Sequence, residues 1–230
     1  MQDEVEKALR RLHWPGKYVL AAGRTDTGVH AFGQVIAFDL DWRHPVEDLR
    51  QAINAYLPRD IVAREVRQVP AEFHPRRDAL SRQYQYHLFF KDVRDPLRER
   101  YAWRVWPPVE IYTLQQAAVT LTGQHDFAGF GTPPRAGGST VRQVIQARWY
   151  PEKDDIVFDV TADAFLYHMV RRMVFLQIEI GQGKLGMEVI SQFLNRQEPE
   201  ASTSYVQGLA PPNGLFLVKV SYPAERLIVR

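Results

Sequence analysis

The sequence predicts an α+β fold, with a mixed or antiparallel sheet and helices on one of its faces. Apolar residues recur at helical spacing in several segments, other segments are short apolar runs typical of strands, and the two kinds are intermixed along the 230 residues. The composition, 45% hydrophobic and 24% charged, is that of a globular protein and excludes a disordered or collagen-like chain. A chain of this length buries roughly 70% of its unfolded surface, which provides a sizeable core.

The first half of the chain contains two stretches of helical spacing, which stop at Pro15 and Pro58. We therefore predict helices at Gln2–Trp14 and Val46–Leu57. Apolar runs predict four strands, at Tyr18–Ala22, Gln34–Leu40, Ile61–Val69 and Arg82–Phe90.

Around residues 73–79 the pattern loses its period and gains Pro75 and three charges. We place a boundary there, between an N-terminal half at residues 1–74 and a C-terminal half at residues 79–230. In the second half we predict helices at Leu114–Leu121, Ala164–Ile180 and Met187–Leu194, a Gly/Pro-rich loop at Gly129–Ser139, a hairpin of Val141–Tyr150 and Ile156–Ala162 closed by Pro151–Asp155, and a final strand at Gly214–Tyr222.

Several classes of site are excluded by what the sequence lacks. It has no Cys, so disulfides, thiolate metal sites and a cysteine nucleophile are ruled out. It also has no Walker loop, dinucleotide fingerprint or Gly-x-Ser-x-Gly elbow. His30, His74 and His168 are isolated from one another, without the spacing of a zinc site, which favours a core or surface role for each over metal binding. These absences remove most interpretations that involve a cofactor or a hydrolase. A metal-dependent hydrolase that uses these histidines stays a weak alternative.

The chain has no apolar run of the ~20 residues that span a bilayer, and its first residues lack the apolar core of a signal peptide. The sequence therefore predicts a soluble cytoplasmic protein that does not bind membranes.

The basic residues suggest a nucleic-acid partner. The net charge is only +2, but 23 of the 29 basic residues are Arg, whose guanidinium forks onto phosphates and stacks on bases. Between Arg59 and Arg104, 11 basic and 7 acidic residues are interleaved with seven aromatic ones. The alternative is that the Arg content reflects genome base composition and that the aromatic residues belong to the core.

The densest group of chemically useful residues is Gly23-Arg24-Thr25-Asp26-Thr27-Gly28, a polar loop between two predicted strands. The two glycines permit a positive φ or a close approach to a ligand, and Arg24 is near enough to hold Asp26 ionised or to reach a phosphate. Such a loop places a carboxylate in a cleft. Asp and Gly also dominate ordinary turns, which is the alternative interpretation.

A second clue is Arg171, which lies in a predicted helix that is apolar almost all the way round. A desolvated guanidinium requires an anionic partner, and Asp26 is our candidate. Alternatively Arg171 reaches water, or pairs with Asp163 or Glu179.

The loop Gly23-Arg24-Thr25-Asp26-x-Gly28-Val29-His30-Ala31 resembles the catalytic loop of the TruA-type tRNA pseudouridine synthases. Six more segments are similar and follow in the family's order: Asn54–Pro58, Phe73–Arg76, Arg82–Tyr86, Gly123–Phe127, Ala164–Arg171 and Ala210–Leu215. The resemblance runs from about Met1 to Tyr222, essentially the whole chain.

The resemblance implies two ferredoxin-like halves that share the sheet, and an isomerase that converts uridine to pseudouridine at positions 38, 39 and 40 of the tRNA anticodon stem–loop, without a cofactor. Asp26 matches the catalytic aspartate, which attacks either the uracil ring or the ribose. Arg24 matches the arginine that fills the place of the flipped nucleotide, and Arg171 the arginine paired with the aspartate. Tyr84 and Leu215 match the residues on either side of the target base.

The resemblance also implies a homodimer that binds tRNA across both subunits. Because the chain starts within the helix that follows the family's first strand, we expect an unpaired sheet edge beside the Asp26 loop. The alternative to an active synthase is a shortened, catalytically inactive protein that still binds tRNA.

Overall fold

The computed structural model describes residues 1–195 and 208–228, which fall into two compact units. The first unit comprises Met1–Arg24, Gln34–Leu80 and the chain from Ser221 onward, and the second comprises Thr25–Gly33 and Ser81–Val220. The sequence-based division into residues 1–74 and 79–230 stays a prediction.

The described residues form five α-helices and nine β-strands. The helices are α1 (Gln2–Arg11), α2 (Val46–Tyr56), α3 (Ile111–Val119), α4 (Met169–Gly181) and α5 (Glu188–Leu194). The strands are β1 (Leu20–Ala21), β2 (His30–Ala31), β3 (Ile36–Ala37), β4 (Ser81–Phe90), β5 (Trp103–Val105), β6 (Gly123–Asp126), β7 (Val141–Glu152), β8 (Asp155–Ala162) and β9 (Leu215–Ser221). In the ranges that the structure describes, no helix has both the length and the apolar character needed to cross a membrane.

The first unit packs α1 and α2 around a small core. Leu9 of α1 and Leu49 and Ile53 of α2 are buried together with Trp14 and Val19. Strands β1 and β3 pair antiparallel as a two-stranded sheet. Each has only two residues, so both are shorter than the apolar runs that predicted them.

The second unit is built on one sheet with the strand order β2-β9-β4-β8-β7-β6, and β5 pairs beside β4. Strand β8 is antiparallel to both β4 and β7, and β6 is antiparallel to β7. The pairs β2–β9 and β4–β5 are parallel. The predicted α+β class and the mixed, mostly antiparallel sheet are confirmed.

Helices α3 and α4 cover the face of this sheet that carries Tyr86, Phe158 and Trp149, which are direct cross-strand neighbours. The side chains of these residues are nearly or completely buried. The indole Nε1 of Trp149 donates a 2.7 Å hydrogen bond to Oε1 of the buried Gln177 on α4. A buried polar pair of this kind fixes the position of α4 on the sheet, because neither group has access to water.

The strand predicted at Ile61–Val69 is wrong, because this segment forms no ladder with a neighbouring strand. The side chain of Asn54 on α2 takes the place of a neighbouring strand. Its Oδ1 accepts a 2.7 Å hydrogen bond from the backbone N–H of Ala63, and its Nδ2 donates a 2.9 Å bond to the carbonyl of the same residue. The backbone N–H and C=O of Ala63 are therefore satisfied by a helix side chain rather than by a neighbouring strand.

The long helix predicted at Ala164–Ile180 begins five residues later, at Met169. His168 has φ 67°, in the left-handed region, so a helix cannot run through it. Tyr167 pairs instead with Thr132 as an isolated β-bridge. This start places His168, Arg171 and Arg172 at the beginning of α4, where the sequence had predicted its second and third turns.

Candidate active site

Asp26 lies in a tight turn four residues before β2. Its carbonyl accepts a 3.1 Å hydrogen bond from the N–H of Val29, a residue buried in the main core. Gly28 within this turn has φ +86°, and a Cβ at that position would lie 3.0 Å from Cγ of Pro212. The turn therefore requires glycine for its backbone conformation and its space, and it holds the Asp26 carboxylate in one direction.

Arg171 holds the Asp26 carboxylate from the first turn of α4. Its Nη1 donates a 2.7 Å hydrogen bond to Oδ2 of Asp26, and its Nε donates a 2.8 Å bond to the carbonyl of Ala210. The two side chains are only 13% and 17% exposed. The pair expected from the sequence is thus present, and water screens its attraction only weakly.

The two other carboxylates considered for Arg171 are engaged elsewhere. Glu179 forms an ion pair with Lys184 at 2.9 Å. Oδ1 of Asp163 accepts hydrogen bonds from the backbone N–H groups of Gln143 and Ala164.

His168 is a third member of the group, which the sequence considered only as a possible metal ligand. Its Nε2 lies 3.4 Å from Oδ2 of Asp26, and its ring stacks on that of Tyr167 with centroids 3.7 Å apart. Burial lowers the pKa of His168, Asp26 opposes that shift, and Arg171 and Arg172 add to it. The imidazole is therefore neutral at pH 7. Its spacing of three residues from Arg171, one helical turn, was the available signal.

Oδ2 of Asp26 thus faces both Arg171 and His168, whereas Oδ1 receives no hydrogen bond from the described residues. A carboxylate oriented by a guanidinium through one oxygen keeps the other oxygen for a reacting partner. Asp26 is thus a largely buried carboxylate with one oxygen held by Arg171.

Tyr84 and Leu215 belong to the same core as the residues that flank this pair. Tyr84 on β4 packs edge-on against Phe165, with ring centroids 5.1 Å apart. Leu215, the first residue of β9, is 6% exposed in the core cluster that includes Val29 and Val170. The buried hydroxyl of Tyr86 donates a 2.8 Å bond to the carbonyl of Pro211, which fixes the segment before Leu215.

Arg24 is the last residue of the first segment of the first unit. Its role remains a prediction from the resemblance.

The other two histidines considered as metal ligands, His30 and His74, contact backbone groups. Nε2 of His30 is 3.1 Å from the carbonyl of Arg100, and its ring stacks on Phe216. Nδ1 of His74 accepts a bond from the N–H of Arg76. Among the residues that the structure describes, no three His, Asp or Glu side chains are grouped so as to hold a metal ion.

Comparison with known proteins points to one family. A family model described as tRNA pseudouridine synthase matches residues 2–78 and 117–223, well over half of the chain. Relatives named tRNA pseudouridine synthase A include one from Moorella thermoacetica, 42% identical over 226 residues, which are 96% of this chain and 89% of the relative. Others are from Exiguobacterium sp., 37% identical over 96% of this chain and 88% of the relative, and from Geobacter sp., 35% identical over 97% and 89%.

Proposed function

The chain belongs to the tRNA pseudouridine synthase family, whose members are isomerases, and we propose that it converts uridine to pseudouridine in the anticodon stem–loop of tRNA with Asp26 as the nucleophile. The observation that carries the proposal is the contact of Asp26 with Arg171, which orients one carboxylate oxygen and leaves Oδ1 open.

The reaction exchanges one bond of the ribose for another. The bond between C1′ and N1 of uracil breaks, a bond between C1′ and C5 forms, and the proton on C5 is lost while N1 gains one. In one route Oδ1 of Asp26 attacks C1′ and releases uracil. In the other it adds to the uracil ring. Both routes return Asp26 unchanged and leave the summed oxidation state constant, so the reaction requires no oxidant or reductant.

The target base must leave its stack before it can rotate, and the protein must then hold it. Tyr84 and Leu215 are our candidates for its two sides, because both belong to the core that surrounds the start of α4. Arg24 is our candidate for the space that the extruded nucleotide leaves. Arg171 transfers no proton in this scheme, and its guanidinium orients the Asp26 carboxylate through the hydrogen bond to Oδ2.

The proposal extends to the setting of the enzyme. Since the substrate is tRNA, we place the chain in the cytoplasm. The resemblance further implies a homodimer that binds one tRNA across two subunits, and the mass of the particle in solution checks this.

The deciding experiment incubates the full chain and its Asp26→Ala variant with a tRNA transcript and maps pseudouridine by chemical labelling. Asp154→Ala is the matched control, because Asp154 lies exposed in the turn between β7 and β8 and its carbonyl, which the substitution keeps, accepts a hydrogen bond from Arg98. We expect conversion by the parent and the control only. Conversion by Asp26→Ala would show that Asp26 is not the nucleophile. If the parent binds tRNA but forms no pseudouridine, the chain is an inactive tRNA-binding protein.

A further inference from the structure

Arg172 follows Arg171 on α4 and has a different environment. Its Nη1 makes only a 3.4 Å hydrogen bond to the carbonyl of Gly129, and its Nε is buried without a hydrogen bond. No carboxylate in the described parts of the chain forms an ion pair with it. Burial lowers the pKa of Arg172, and no nearby charge compensates for that burial. The protein therefore holds a partly desolvated cation without an anion, which is costly unless a ligand supplies one.

A second arginine of the same kind lies on β7. Nη1 of Arg142 donates to the carbonyls of Ser139 and Val141, at 2.9 and 2.6 Å, and its Nε is also buried without a hydrogen bond. Burial lowers the pKa of Arg142, and Asp163 opposes this from beyond ion-pair distance. Among the described residues it too has no carboxylate within an ion pair.

A bulge in β7 places Arg142 and Arg148 on opposite faces of the sheet. The register with β8 shifts between Val144 and Gln146, so Val144 and the later Ala147 both face the core although their spacing is odd. Arg142 shares the face of Val144, the face on which α4 packs. Arg148, beyond the bulge, lies on the opposite face, where its guanidinium stands over the ring of Tyr150.

The two guanidiniums form hydrogen bonds to the two ends of one loop. Arg172 bonds the carbonyl of Gly129 at the start of residues 129–139, and Arg142 bonds that of Ser139 at the end. Within this loop Thr132 pairs with Tyr167, the neighbour of His168. The charge of Arg172 also acts on His168, which contacts Asp26, so Arg172 lies within electrostatic reach of the site.

We propose that Arg172 and Arg142 form a binding site for backbone phosphates of the RNA strand that delivers its nucleotide to Asp26. The inference rests on the proposed function, since it takes the ligand to be RNA. A phosphodiester supplies the missing anion, and the guanidinium donors not used by carbonyls match its oxygens. The loop carbonyls hold each arginine in place before the RNA arrives.

The test measures binding of a labelled anticodon stem–loop RNA to the full chain between about 50 and 200 mM salt. The variants are Arg172→Gln, Arg142→Gln and the double change, with Arg148→Gln as the matched control on the other face of β7. Each single change at the site should make the slope of log K against log salt less negative by about 0.7 to 0.9. Each should also lower the affinity about threefold at low salt. In the double variant the two changes in slope should add. Arg148→Gln should leave the slope unchanged.

Thermal unfolding without RNA checks that the variants fold. Removal of an unpaired, partly buried charge should not lower the unfolding temperature, and Arg172→Met, which keeps the apolar stem, serves if the Gln variant is unstable. Unchanged slopes in folded site variants would overturn the inference. A response to inorganic phosphate at constant ionic strength, without any change in RNA binding, would overturn it in favour of free phosphate.

The result is separable from the proposed function. A parent chain that binds RNA with these slopes but forms no pseudouridine would defeat the function and support the phosphate site. Full conversion with unchanged slopes would defeat the phosphate site alone.

Discussion

The Asp26 carboxylate and the Arg171 guanidinium are 145 residues apart in sequence and 2.7 Å apart in the fold. One comes from a glycine-dependent turn before β2 and the other from the first turn of α4, so the ion pair ties two distant parts of the second unit together. Both side chains are largely buried, so each charge offsets the desolvation cost of the other.

Replacement of Arg171 by Met should therefore damage both stability and activity. It leaves a largely buried carboxylate without its cation, which costs about 3 kcal/mol of unfolding free energy, and it removes the group that orients Asp26. Urea unfolding and pseudouridine formation are the two measurements. The control is the double variant Asp26→Ala, Arg171→Met, which should regain part of the stability and none of the activity. A double variant less stable than Arg171→Met alone would contradict this account of the pair.

His168 should make stability depend on pH. Burial places its folded pKa below the ordinary value of 6.5, so the unfolded chain takes up the proton first as the pH falls. The contribution is fully present above pH 6.5 and is lost as the pH falls toward the folded pKa. His168→Gln should remove this component, so its unfolding free energy should decline less than that of the parent between about pH 7.5 and 5.5.

The informative quantity is the difference between the two chains, because it isolates the contribution of His168. His44→Gln, a change on the exposed surface of the first unit, is the control. An identical decline in the parent and in His168→Gln would show that the imidazole is not held neutral by its surroundings.

The parts of the fold that could be predicted are those determined by local spacing. Helix α2 and the β7–β8 hairpin each follow from the pattern of apolar residues within one short segment. The predicted ends of both lie within two residues of the observed ones. The pairing of Asp26 with Arg171 could be inferred as well, because a guanidinium among apolar residues requires a carboxylate.

The failures have tertiary causes. No strand forms at residues 61–69, where the Asn54 amide of α2 instead bonds the backbone of Ala63. A contact between separate segments of this kind is not visible in the local sequence pattern. Next to the left-handed His168, Tyr167 forms a β-bridge with Thr132, a contact between segments that are distant in sequence. Such a contact is not visible in the local helical spacing that predicted the longer helix.

The contact between Asn54 and Ala63 predicts a stability effect separate from activity. Asn54→Ala removes two side-chain bonds to backbone groups and should lower the unfolding free energy by about 1 to 3 kcal/mol, because those groups lose their partner. Gln51→Ala, an exposed change on the same helix, should be nearly neutral. Denaturant unfolding measures both. An effect of Asn54→Ala no larger than that of Gln51→Ala would mean that water replaces the amide without cost.

Gly28→Ala should lower the activity, because Gly28 lies in the turn that carries Asp26. Alanine there would have to adopt a φ of +86° and would place its Cβ 3.0 Å from Pro212, so the turn that carries Asp26 must shift. Gly183→Ala is the matched control, since Gly183 has φ +70° but nothing within 4 Å of the added Cβ. Both changes should cost roughly 1 to 2 kcal/mol of unfolding free energy from the backbone alone. Only Gly28→Ala should lower pseudouridine formation, by about tenfold, because relief of the contact with Pro212 takes a few tenths of an ångström and a displacement of about 1 Å at a reacting group costs about a hundredfold. Equal activity in the two variants would show that the position of the Asp26 carboxylate does not depend on this turn.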